Sequence, residues 1–189
     1  MDHTTRAAGF RGTLPPPPLS YYFTTMTPQK PNTGLSDIQT EGSVAILSAL
    51  LADEAVLAQK LRNHHWNVVG IHFLDLHALF GQQYEECEAI VDEVAERTAA
   101  LGARAPGTFA EFLTLARIPE EVARKHNAEK TEDMLRILLS DHEAIIRSLR
   151  SDIDACTEQH HDIGTADHLT EILRKHEKMA WMLRALAHA

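Results

Sequence analysis

The side chains best suited to chemistry fall in two neighbouring stretches of the chain. The first is Arg62-Asn63-His64-His65-Trp66-Asn67-Val68-Val69-Gly70, and the second is an acidic segment carrying His77, Asp92 and Glu96. Asp92 and Glu96 have the spacing of one helical turn, so on a helix they point the same way and can grip one hard cation together. His65 and His77 bring imidazoles on either side of a short connection, and imidazole nitrogen with carboxylate oxygen is a donor mix that suits iron. Distance restricts the arrangement. On one straight helix His77 and Asp92 lie roughly 22 Å apart at about 1.5 Å per residue, far beyond the span of a shared metal. One copy of the helix cannot close such a site, whereas a second copy running antiparallel would set its Asp92 and Glu96 opposite the first copy's His77. The spacing therefore predicts a site shared across a two-fold axis.

Helices must position these groups. From about Phe73 the apolar residues Phe73, Phe80, Tyr84, Cys87, Val91, Val94 and Leu101 step by three, four and seven, the spacing of one buried face. Gly81, Glu85, Glu88, Asp92 and Glu96 form an acidic stripe beside it, which without a metal is an ordinary solvated face. This helix is expected over 73–102, stopped by Gly102. A first helix is expected to open on the capping box Ser36-Asp37-Ile38-Gln39 and to run to about Asn67, with Val44, Leu47, Leu50, Leu51, Val56 and Leu61 inward. A histidine at a helix end is ordinarily a surface or capping group, and His64 is assigned there; Trp66 is assigned to core or interface.

A second capping box, Thr108 with Glu111, opens a short helix Phe109–Ala116 that Pro119 ends, inside a connection long enough to cross a bundle. A third long helix is expected from about Glu129 to Thr157, and a fourth over 165–187. Glu158 and His161 spell Glu-x-x-His, but they fall in a polar loop and no second copy of the motif exists, so they are not assigned to a metal.

The chain's 189 residues, 44% hydrophobic and 24% charged, suit one domain with a sizeable core plus a tail. A net charge of −9 opposes generic attraction to nucleic-acid phosphate and favours cations. Cys87 and Cys156 have no CxxC partner and read as reduced packing residues, which gives a cytoplasmic expectation. No apolar run approaches the ~20 residues of a membrane span, and no secretion signal is visible. Residues 1–35, with Pro15-Pro16-Pro17-Pro18 and no helical period, are expected to be a disordered extension preceding a domain over 36–189. Met26 is an alternative start.

Four long helices with one long cross-connection after the second describe an all-α, ferritin-like four-helix bundle with a short helix between helices 2 and 3. The segments His65-Trp66-Asn67-Val68-Val69-Gly70, Leu76-His77, Asp92-Glu93-Val94-Ala95-Glu96-Arg97, Asp141-His142-Glu143, Gly164-Thr165-Ala166-Asp167 and His176-Glu177-Lys178-Met179-Ala180-Trp181-Met182-Leu183-Arg184-Ala185 resemble the Dps mini-ferritins, DNA-binding proteins from starved cells. The resemblance covers about 36–187. It implies a hollow dodecameric shell that oxidises Fe(II) with hydrogen peroxide and stores the ferric mineral. It also implies ferroxidase ligands His65 and His77 from one subunit and Asp92 and Glu96 from its two-fold neighbour, with Trp66 beside them. Zinc is a second expected occupant of the resting site. Acidic three-fold pores suggest Asp167 and Asp162. The family usually has Asp or Glu where this chain has Gly81, so the resemblance implies a weakened site, with Glu85 as a substitute ligand. The competing expectation is a DNA-compacting scaffold with a degenerate metal site; the acidic balance and the single lysine of the tail point to weak DNA binding.

Overall fold

Both capping boxes form as their sequences require. In the computed structural model, which describes residues 31–120 and 130–187, Ser36 caps the first helix, its backbone N–H donating to Gln39 Oε1 at 2.8 Å while its hydroxyl accepts from the Gln39 N–H. That helix, α1, is Asp37–Asn67, followed by α2, Phe73–Ala100. Thr108 and Glu111 cap α3, Phe109–Leu115, and α4, Thr131–Glu158, and α5, Ile163–Ala187, complete the described chain. The expected start near Glu129 and residues 1–30 of the extension expected over 1–35 lie outside the described residues.

The short α1–α2 turn makes these two helices one packed pair, and α4 with α5 makes the other. Between the pairs lie Leu47, Leu50, Leu51, Leu57, Leu61, Phe80, Ile90, Leu138, Ile145, Leu149, Leu169 and Ile172, all fully buried. Each such side chain stabilises the fold by about 1.5–3 kcal/mol relative to exposure. On α2 the expected apolar face is buried at Phe80, Cys87, Val94 and Leu101, but Phe73 is partly exposed where the helix begins beyond the end of α1. Thr98 interrupts that face without cost in unpaired groups, since its hydroxyl donates to the Val94 carbonyl at 2.9 Å.

Buried charges tie the long connection to the bundle. The Asp53 carboxylate, on α1, accepts from the Arg117 guanidinium at 2.7 Å and from the backbone N–H groups of Arg117 and Ile118 at 2.5 and 3.2 Å. Lys60, also on α1, pairs with Asp141 of α4 and donates to the Pro119 carbonyl at 3.1 Å. Both cysteines are free and buried. Among the described residues no helix is long and apolar enough to cross a membrane.

Candidate metal half-site

His65 ends α1 and His77 begins α2, so the short turn between the helices brings the two imidazoles face to face. Their rings stack with centroids 3.7 Å apart and planes 19° from parallel. Each Nδ1 contacts the other residue's backbone carbonyl: His65 Nδ1 lies 2.6 Å from His77 O, and His77 Nδ1 lies 2.8 Å from His65 O. A carbonyl oxygen can only accept, so both Nδ1 atoms carry the proton. In neutral imidazole that leaves a lone pair on each Nε2, the state in which histidine ligates metals.

Around the pair, Phe73 stacks on His77 at 5.1 Å and Tyr84 presents its edge to His65 at 5.4 Å. Arg62 lies over the Tyr84 ring at 5.0 Å and pairs with Glu88 of the acidic stripe. Gly81 is buried against His65, whereas Glu85, Asp92 and Glu96 are exposed along α2. His77 and Asp92 share that one continuous helix, and among the described residues no group of three or more His, Cys, Asp or Glu side chains converges to hold a metal. The fold brings His65 and His77 together and leaves Asp92 and Glu96 several turns away.

One histidine expectation needs correction, and the choice left open for Trp66 narrows. Trp66 is 64% exposed, with Val69, Ile71 and Leu74 exposed nearby around the α1–α2 connection, so of core and interface only the second stays open. His64 is not a surface group: it is 1% exposed, because the last turn of α1 is still covered by α2 and rotates His64 inward against Phe80 at 6.2 Å. Burial, helped by the Lys60 ammonium, lowers the His64 pKa to about 4.

The two aspartates near α5 differ. Asp162 is buried, accepting from the Thr165 N–H at 3.0 Å, from its hydroxyl at 2.6 Å and from Arg97 of α2 at 3.1 Å. Burial alone would raise the Asp162 carboxyl, but the Thr165 hydrogen bonds and Arg97 outweigh it and hold the group below its usual value. Its carboxylate is thus committed to capping α5. Asp167, in the first turns of that helix, is exposed.

Periodicity alone did not reveal a second polar group at the bundle centre. His176 Nε2 of α5 lies 2.6 Å from Glu54 Oε1 of α1, and its Nδ1 lies 2.9 Å from His142 Nδ1 of α4. All three side chains are completely buried. Desolvation, with His176 adjacent, pushes His142 well below the usual imidazole range. Cys87 of α2 abuts Glu54, and burial together with that carboxylate raises its thiol pKa. The sequence signal was a glutamate and two histidines on otherwise apolar faces, which helical spacing alone reads as interruptions.

A family model for the ferritin-like domain matches residues 44–189. An uncharacterized low temperature-induced protein of Nostoc is 38% identical over 154 residues, covering 82% of this chain and 84% of that protein. Among solved structures, DpsC from Streptomyces coelicolor superposes with a TM-score of 0.77 at 30% identity, covering 83% of this chain and 89% of that one. A Dps protein from Vibrio cholerae, described as a member of a broad superfamily of ferritin-like diiron-carboxylate proteins, gives a TM-score of 0.75 at 27% identity, covering 85% and 98%.

Proposed function

This chain belongs to the ferritin-like family as a Dps mini-ferritin, and from that premise we propose that it oxidises Fe(II) at sites shared between two subunits and stores the ferric product. The reciprocal histidine pair carries the reading. Two imidazoles whose Nδ1 atoms are held on backbone carbonyls leave both Nε2 atoms to face a ligand. His65 and His77 of one subunit would bind the iron together with Asp92 and Glu96 of its neighbour. The exposed Trp66, Val69, Ile71 and Leu74 beside the pair suit a subunit interface, which would place Trp66 next to the metal. Glu85, exposed one turn beyond Gly81, is the substitute oxygen ligand. Zinc fits the same mixed imidazole and carboxylate donor set as a resting occupant.

Hydrogen peroxide is the oxidant in this reading. Two Fe(II) ions each give one electron, the O–O bond of one peroxide breaks, and the resulting oxygens leave as oxide or hydroxide in the ferric product while hydrolysis releases protons. Removing peroxide and free Fe(II) together protects a cell from oxidative damage. The assembly would be a dodecameric cage in the cytoplasm, formed by residues 36–189. Asp167 would line the acidic iron pore, and Asp162 would hold the start of the helix that carries it.

The test is peroxide-driven Fe(II) oxidation by His65→Ala and Asp92→Ala. Both variants should assemble and slow by on the order of 10–100-fold or more, as expected for lost ligands. Unchanged rates with assembly intact would refute the ligand set. DNA compaction is disfavoured by the net charge of −9; a gel shift that survives ~150 mM salt would reverse that ordering.

A further inference from the structure

Gly81 lies one turn beyond His77 on α2, where the Dps resemblance implies a carboxylate. A side chain there would crowd the site it was meant to complete: a Cβ on Gly81 would lie 3.2 Å from both Cε1 and Nδ1 of His65. The ring has little freedom to yield. Its Nδ1 is held at 2.6 Å on the His77 carbonyl, one face is stacked on His77, and the Tyr84 ring packs near-perpendicular to it at 5.4 Å. A shift of a few tenths of an ångström must lengthen the hydrogen bond or part the stack.

We infer that Gly81 is a positioning residue: the space left by its absent side chain seats His65 against α2 and allows its Nδ1–H to lock on the His77 carbonyl. The site then has one carboxylate fewer and one imidazole held in the ligating tautomer. This inference rests on the reading of His65 as a metal ligand. It also changes what a restored acid would do. Gly81→Glu brings the same Cβ, so the added carboxylate arrives together with a displaced His65.

Gly81→Ala isolates the steric effect, because it adds the Cβ and no donor. The experiment is a crystal structure of the assembled variant together with Co(II) titration followed by visible absorption. Expected are a His65 Nδ1 to His77 O separation lengthened by a few tenths of an ångström from its 2.6 Å, and a Co(II) affinity about tenfold weaker, the scale of lost ligand orientation. The melting temperature should hold or rise, since alanine is the better helix former, and that separates a positioning role from a folding one. A His65 ring that stays in place with its hydrogen-bond length unchanged overturns the inference, whatever happens to Co(II). A displaced ring with unchanged Co(II) affinity upholds the seating by Gly81 and overturns the reading of His65 as a ligand.

Discussion

Two histidine pairs in this bundle use the same side chain in opposite ways. At the centre, His176 is hydrogen-bonded through both nitrogens, to Glu54 on one side and His142 on the other, with all three groups sealed from solvent. At the end of the first helix pair, His65 and His77 each use only Nδ1, on a backbone carbonyl, and remain partly exposed. The central pair links helices: its bonds join α1, α4 and α5. The terminal pair fixes orientation and leaves an electron pair for a ligand. What distinguishes a structural histidine from a candidate ligand here is access, since His142 also leaves its Nε2 without a hydrogen-bond partner but is sealed from solvent, whereas His65 and His77 are partly exposed.

That contrast predicts separate losses on mutation. Glu54→Ala removes the acceptor of a buried imidazole N–H and opens a cavity, so unfolding in urea should show a loss of about 3–5 kcal/mol, with Fe(II) oxidation kept by the molecules that remain folded. His65→Ala should do the reverse, changing stability by less than about 1 kcal/mol while slowing oxidation. Should Glu54→Ala cost little stability, or His65→Ala cost as much, the division between the pairs collapses.

Next in size is a pH effect at His64, which lies between the two regions and is buried without belonging to either pair. Its folded pKa is about 4 against 6.5 unfolded, with burial the first cause and Lys60 the second. The unfolded chain therefore binds more protons between these values. Stability should fall as pH drops through that window, by on the order of 2–3 kcal/mol from this residue. Urea midpoints measured from pH 7 to pH 4 should flatten in His64→Gln relative to the parent. An identical slope in the variant would assign the acid sensitivity elsewhere.

Asp162 and Asp167 give the smallest effects and sharpen the comparison at the other end of the bundle. Asp162→Ala removes a helix cap and a partner of Arg97, so a loss of about 1–2 kcal/mol is expected in thermal or urea unfolding. Asp167→Asn should stay within about 0.5 kcal/mol of the parent and instead slow iron uptake into the assembled protein. Equal stability losses in the two variants would remove the distinction between cap and pore.

Helix patterning carried most of the architecture. The two capping boxes, the apolar steps of α2 and the stop at Gly102 located the helices to within a few residues, because each is a local signal. The separation of His77 from Asp92 was equally legible, since helical rise alone forbids their meeting. Other features depended on tertiary packing. His64 turned inward because α2 covers the end of α1, and Asp162, whose cap on Thr165 is local, gained a second partner because Arg97 reaches it from another helix. Gly81 read as a missing ligand until the His65 ring was seen to lie against it.

The central claim is that each site takes its histidines from one subunit and its carboxylates from another, and subunit mixing tests it directly. His65→Ala and Asp92→Ala chains, each nearly inactive alone, are unfolded together, reassembled and assayed for peroxide-driven Fe(II) oxidation. In a mixed two-fold pair one site carries both substitutions and the other carries neither. Random pairing should therefore restore roughly a quarter of the parental rate, as two-fold symmetry requires. A mixed assembly no more active than the two variants reassembled separately would contradict the account.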